Sequence, residues 1–179
     1  MQAYIPKIKK SGIGVLSTDT LYGIVGSAFS KSATTRIYEV KGRSDGKPLI
    51  ILINSISDIK KFGVTLSKNQ EEYLATVWPG PVSVILPCTL KKYSYLHRGT
   101  KSLAFRMPRN KRLLALLKKV GPLVAPSANP QGDKPAHTIA EAKKYFGNNV
   151  DFYVAGGRKI GKPSKVVSLL TQKPEVIRK

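Results

Sequence analysis

The sequence predicts a single α+β (α/β-like) domain built on a mixed β-sheet with helices around it. Three observations predict it. Short runs rich in Val, Ile and Leu recur along the chain, and stretches with helical spacing of apolar residues separate them. No internal repeat, low-complexity segment or Pro/Ser-rich linker breaks the pattern. The length of 179 residues suits one domain, taken as residues 1–179, and allows a substantial core.

The elements follow in order. GIGVLS (12–17) and YGIVGSAF (22–29) read as strands, and the gap near residues 18–22 has hairpin length. A helix is expected over residues 32–41, then a strand at PLIILIN (48–54). Ser67-Lys-Asn-Gln70 has capping-box spacing, a hydroxyl followed three residues later by an amide, and opens a helix. VSVILPC (82–88) and SLAFR (102–106) are strands, with a second hairpin-length gap near 98–102. Asn110 can cap a helix carrying Leu113, Leu114, Leu116 and Leu117, and Gly121 is placed to end it. PLVAP (122–126) is a further strand. Thr138-Ile-Ala-Glu141 opens the last helix, and DFYVA (151–155) and KVVSLL (165–170) are the final strands. The short gaps favour a mixed sheet over a purely parallel one; strand order does not follow from the pattern.

Composition narrows the function classes. An apolar content of 41% argues against disorder. No apolar run approaches the roughly 20 residues of a membrane span. The opening MQAYIPKIKKSG has no apolar signal region, and the expected compartment is the cytoplasm. Cys88 is the single cysteine, so an internal disulfide is excluded, and no Cys/His cluster has zinc spacing. Charge is the exceptional feature: 31 Lys and Arg against 10 acids, net +21. No acid falls between Glu72 and Asp133, while ten Lys or Arg fall from Lys91 to Lys119. Such a field favours nucleotides, nucleic acid or anionic lipid without choosing among them.

Four polar clusters punctuate the strands. Ser17-Thr-Asp-Thr-Leu-Tyr-Gly23 places hydroxyls and Asp19 in a tight connection able to hold a small zwitterion; the same residues also make ordinary Asx or ST turns. In VKGRSDGKPLI (40–50), Gly42 and Gly46 let backbone approach a ligand, and Lys41, Arg43 and Lys47 supply cationic donors of the kind that hold phosphate oxygens. In SLAFRMP, alternation puts Ser102, Ala104 and Arg106 on one face. In PLVAPSANPQG, an apolar strand ends abruptly in Ser127-Ala-Asn129, a common ligand position in sheets with helical cover. His97 and His137 lie far apart and read as surface residues. There is no GxSxG, HExxH, Walker A loop or GxGxxG. Any catalysis would rest on positioning and positive charge rather than on a covalent nucleophile.

Taken together, these pieces resemble the YrdC/Sua5/TsaC family, the threonylcarbamoyl-adenylate synthases of tRNA modification. STDTLYG, Lys41-Gly-Arg43 with KPLI after it, WPGP (Trp78 to Pro81), SLAFRMP, Ser127-Ala-Asn129, PSKVVSLL and VIR (Val176 to Arg178) match the family's motifs in order and spacing. The resemblance spans nearly the whole chain and looks like the single-domain form. It implies an open, twisted, mixed sheet with helices around a concave positive surface, the YrdC-like (DHBP synthase-like) fold. It implies condensation of L-threonine, bicarbonate and ATP to threonylcarbamoyl-AMP and pyrophosphate. Partner proteins of the t6A pathway would then transfer the threonylcarbamoyl group to adenosine 37 of tRNA. Lys41 and Arg43 are implied as catalytic residues. Arg43, Lys47, Ser102, Arg106, Ser127, Asn129 and Arg178 are implied at ATP, and Thr20, Ala125 and Ser164 at threonine. Mg2+ is expected on the substrate's phosphates, with no protein metal site. Leu52, where longer members often carry a histidine, and Lys165 and Ser168 depart from the pattern. A non-enzymatic double-stranded RNA-binding or ribosome-maturation module of the same fold is the alternative, and weak tRNA contact is compatible with either. A hydrogenase-maturation enzyme of related chemistry would need domains and zinc-finger cysteines that this sequence lacks.

Overall fold

The computed structural model describes residues 3–44, 48–171 and 173–179. Its strands are β1 (Gly14–Ser17), β2 (Tyr22–Ser27), β3 (Ile50–Leu52), β4 (Val82–Pro87), β5 (Ser102–Arg106), β6 (Leu123–Val124), β7 (Phe152–Val154), β8 (Lys165–Ser168) and β9 (Glu175–Arg178). They form one nine-stranded sheet in the order β7-β1-β2-β6-β3-β5-β4-β8-β9. The sheet is mixed, as the short gaps imply: β1/β7, β3/β5 and β4/β8 run parallel and the other pairs antiparallel. The helices are α1 (Tyr4–Lys9), α2 (Lys31–Lys41), α3 (Lys68–Val77), α4 (Ser94–His97), α5 (Lys111–Val120) and α6 (Ile139–Phe146), with 3-10 turns at Ile56–Phe62 and Lys91–Tyr93.

The expected caps hold these helices. The Ser67 hydroxyl accepts from Gln70 N while the Gln70 side chain returns to Ser67 N. Asn110 accepts from Leu113 N, Thr138 accepts from Glu141 N, and Gly121 ends α5. Each side-chain acceptor satisfies a backbone N–H that the first turn leaves unpaired.

Strand alternation splits the core in two. Val15, Ile24, Ile51, Val124, Phe105, Leu103 and Val84 face one side and pack with Ile37 of α2, Phe62, Leu74 of α3, Leu96 of α4 and Phe146 of α6. On the other side, Leu16, Val25, Leu52, Leu123 and Phe152 pack under Ile8 of α1 and Leu113, Leu116 and Leu117 of α5. That second cover reaches only part of the sheet. Over β5, β4 and β8 the same face lines a cavity.

Four features differ from the sequence reading. Helix α1 was not expected, because Ala3 offers no side-chain cap; tertiary packing holds it, with Ile8 buried and Tyr4 stacked 5.4 Å from the Phe152 ring. Strand β9 was read only as a motif; all four residues are exposed, and pairing with β8 rather than burial places it. The segment 98–102 is not a hairpin joint. The β4–β5 link runs through the Lys91–Tyr93 turn and α4, and Arg98, Gly99 and Lys101 bend back into β5 with positive φ. His97 is buried rather than on the surface, its Nδ1 accepting from Gly99 N at 3.2 Å. Among the described residues no helix is long and apolar enough to cross a membrane.

Candidate functional site

The K-G-R stretch shows how local structure aims side chains. Helix α2 ends at Lys41, and Gly42 takes a left-handed φ of 55° as its C-cap, a conformation that suits glycine. Gly42 N returns to Glu39 O and Arg43 N to Tyr38 O, closing the helix. The reversal sends the two cations different ways. Lys41 is buried, and its Nζ donates to the carbonyl of Ser127 at 2.6 Å and to that of Asn129. Burial, with Arg43 adding to it, pulls the Lys41 ammonium down to about 8. Arg43 instead lines the cavity and donates to Pro48 O at 3.3 Å. Lys47 lies outside the described residues.

The cavity holds about 280 Å3 and draws on every polar cluster of the sequence. Thr20 comes from the β1–β2 turn, Ser102 and Arg106 from β5, Ala125 and Ser127 from the end of β6, Ser164 from the entry to β8 and Arg178 from β9. Ile50, Ala104, Ile85 and Val166 form its apolar floor. Two of the residues singled out in the sequence are elsewhere. Lys41 sits behind the Ser127–Asn129 turn. Asn129 is buried there, its amide donating to Pro130 O and Asp133 O at 2.8 Å each.

Among the described residues, positive charge inside the cavity outweighs negative. Arg106 is 4% exposed; Nη1 donates to Thr20 Oγ1 at 3.1 Å and Nη2 lies 3.2 Å from Asp19 Oδ1. Its Nε is buried with no partner among the described residues. Burial lowers the Arg106 guanidinium, Asp19 acting against that and Arg178 adding to it. Partial burial of its guanidinium against Ser164 likewise lowers Arg178, with Arg43 contributing, and burial lowers Arg43, with Tyr38 opposing. All three keep their charge, since a guanidinium does not give up its proton in proteins. Asp19 is already engaged by Arg106 and by Arg109 N at 3.3 Å.

Sequence reasoning missed two parts of the site. The segment 155–162 passes the β1–β2 turn on its way from β7 to β8. Tyr22 Oη donates to Gly157 O at 2.7 Å and accepts from Gly156 N at 2.8 Å, and Lys159 N donates to His137 O at 2.8 Å. A Cβ on Gly161 would stand 2.6 Å from Thr20 O, so this segment roofs Thr20 only because the residue is glycine. Its glycines were the only signal. The second part is Ser83, whose hydroxyl meets Ser164 Oγ at 2.9 Å; a lone serine in an apolar run gave no warning.

Outside the cavity it is the helical acids that segregate. The helices on the cavity side of the sheet, α1 and α5, carry Lys7, Lys9, Lys111, Arg112, Lys118 and Lys119 and no acid. The opposite layer carries Glu39, Glu71, Glu72 and Glu141.

A mixed sheet with one partly open face, and an arginine-lined cavity on that face, define an α+β protein with a pocket of positive charge, which favours anions. The chain belongs to the Sua5/YciO/YrdC family, described as "Telomere recombination", whose profile matches residues 7–179. It is 31% identical over 175 residues to a threonylcarbamoyl-AMP synthase of Pyrococcus abyssi (strain GE5 / Orsay), covering 96% of this chain and 51% of that protein. It is 33% identical to a threonylcarbamoyl-AMP synthase of Bacillus subtilis (strain 168), covering 96% and 50%. The chain thus spans about half the length of these two relatives. Among solved structures, that of P. abyssi Sua5 complexed with L-threonine superposes with a TM-score of 0.90 at 28% identity, over 97% of this chain and 52% of that one. The expected YrdC-like fold is therefore the observed one.

Proposed function

We propose that this chain condenses L-threonine, bicarbonate and ATP into threonylcarbamoyl-AMP with release of pyrophosphate. The observation that carries the reading is the convergence of Arg43, Arg106 and Arg178 with hydroxyls on one cavity; Asp19, the acid beside Arg106, is already engaged. The names of the relatives and the threonine complex of a 28% identical structure point the same way. In this reading the threonine amine bonds to the carbon of bicarbonate, a C–O bond breaks and water leaves, giving an N-carboxylate. One of its oxygens bonds to the α-phosphorus as the bond to pyrophosphate breaks. Several negative charges meet in that step. Arg43, Arg106 and Arg178, with Lys47, offset their repulsion, the kind of preorganised positive charge that lowers such barriers. Ser102 and Ser127 serve the nucleotide; Thr20, Ala125 and Ser164 serve threonine.

Lys41 acts one step back in this scheme, holding the Ser127–Asn129 turn in place through its two carbonyls. The donor set suits a Mg2+ that arrives on the nucleotide. Among the described residues no group of three or more His, Cys, Asp or Glu converges, and Mg2+ readily keeps waters and substrate oxygens as ligands. The acid-free surface of α1 and α5 suits weak, salt-sensitive contact with tRNA, and the cytoplasmic t6A transfer proteins would take the product. A purely RNA-binding role is the weaker reading, because the arginines turn into a cavity rather than along a surface.

The test is pyrophosphate release from ATP, with threonine and bicarbonate omitted in turn. Release should require both. Release at the full rate without threonine would refute the reading.

A further inference from the structure

We propose that Ser83, a β4 residue that does not line the cavity, fixes the Ser164 hydroxyl as a hydrogen-bond donor to the substrate's carboxylate. This rests on the functional reading above and adds to it which group of the amino acid Ser164 meets. Ser83 is a positioning residue in this scheme, acting through Ser164.

The placement comes from sheet register. Ser83 pairs with Val166 across the parallel β4/β8 ladder, and alternation puts it on the same face as Ile85, which lines the cavity together with Val166. Ser83 is 0% exposed and Ser164 4%. Their hydroxyl oxygens lie 2.9 Å apart, and Ser164 is the one hydrogen-bond partner of the Ser83 hydroxyl among the described residues. Arg178 closes the group. Its Nε and Nη2 donate to Ser164 O at 3.1 and 2.7 Å, and Nη2 also reaches Ser164 Oγ at 3.3 Å.

Proton counting decides the direction of the Ser83–Ser164 bond. If Ser164 donated, the Ser83 proton would be buried with no acceptor, and an unsatisfied buried donor is costly. If Ser83 donates, its proton is satisfied. The Ser164 oxygen then accepts from both Ser83 and Arg178, which fills its two lone pairs. The only capacity left to Ser164 is its own proton, at the wall of the cavity. A hydroxyl in that state pairs with an acceptor oxygen and cannot receive an ammonium N–H. The guanidinium of Arg178 beside it favours a charged oxygen, which on threonine is the carboxylate.

Ser83→Thr and Ser83→Val test this, since they share a shape and differ in one hydroxyl. Isothermal titration with L-threonine should show affinity within about 2-fold of wild type for the first and a loss of about 10-fold for the second, with ATP affinity unchanged in both. Ser164→Ala should weaken threonine by a similar factor. Adding Ser83→Val to it should cost nothing further, because the two residues act as one unit. Equal threonine affinity in the Thr and Val variants, or losses that multiply in the double variant, would overturn the proposal. If neither variant folds by circular dichroism, Ser83→Ala against wild type gives the same comparison without added volume. A wild-type protein that binds ATP but no threonine would overturn the substrate reading and this proposal together. Normal threonine binding with indifferent Ser83 variants would overturn this proposal alone.

Discussion

Two halves of one sheet face differ in what covers them. On β7, β1, β2 and β6 the positions facing that side include Phe152, Leu16, Val25 and Leu123, and α1 and α5 pack over them with Ile8, Leu113, Leu116 and Leu117. On β5, β4 and β8 the equivalent positions are Ser102, Ala104, Arg106, Ser83, Ile85 and Val166, and there the face lines a cavity. Size and charge explain the difference. A fully buried leucine contributes roughly 1.5–3 kcal/mol, so an amphipathic helix gains by settling on a leucine-rich surface. Small side chains offer a helix little to bury, and covering arginine with apolar surface costs desolvation that Asp19 and Thr20 repay only in part for Arg106. The open half has a cavity where the covered half has an apolar core.

Each half can be broken on its own. The largest effect is expected at Arg106. Replacing it by leucine removes charge from the cavity and leaves Asp19 nearly buried without its partner, a change of the kind that costs about 2–5 kcal/mol. Arg106→Leu should lower the rate of pyrophosphate release by about 100-fold or more; a rate within a few-fold of wild type would show that the open half does not depend on this arginine. The covered half should respond in the opposite sense. Leu116 is 2% exposed beneath α5, and Leu116→Ala should cost about 2–5 kcal/mol in urea unfolding, while the folded variant keeps its ATP affinity.

Arg43→Ala sharpens the contrast. Losing one charge-assisted contact of about 1.5–3 kcal/mol should weaken ATP by about 10- to 100-fold by calorimetry. The melting temperature should change little, because the burial of Arg43 and its closeness to Arg178 offset its contacts with Pro48 and Tyr38. A variant that melts early and still binds ATP would reverse the assignment of the two halves. The smallest effect concerns the amino acid. Serine, lacking one methyl group of threonine, should lose about 1 kcal/mol, roughly 5-fold in pyrophosphate release at subsaturating substrate. Valine should lose far more, because it leaves the partners of the threonine hydroxyl unpaired. Equal rates with valine and threonine would mean that the open half does not read that hydroxyl.

Much of this architecture was legible beforehand, wherever the signal was local. The caps at Ser67, Asn110 and Thr138 are read from residues three apart, and the structure uses each of them. The alternation of Ser102, Ala104 and Arg106 correctly put all three on one face, and all three line the cavity. Helix α1 and the burial of His97 were not legible, because the Phe152 ring under Tyr4 and the packing around α4 come from distant chain. Leu52 shows the same limit. The resemblance marks it only as a departure at a position where longer members often carry a histidine, and the structure buries it fully with the leucines of α5.

The sequence by itself determined which residue types stand at which strand ends, where helices begin and stop, and how much positive charge the chain carries. Those are properties of neighbours along the chain, set by backbone hydrogen bonding and side-chain period. The tertiary structure decided which of the polar clusters meet. It turned Lys41 toward the Ser127 and Asn129 carbonyls and Arg43 into the cavity, on either side of a single left-handed glycine. It laid Gly161 on Thr20, and it joined Ser83 to Ser164 through the β4/β8 register. None of these contacts has a local signature, because each depends on strand order, and strand order is chosen by the burial of the whole sheet at once.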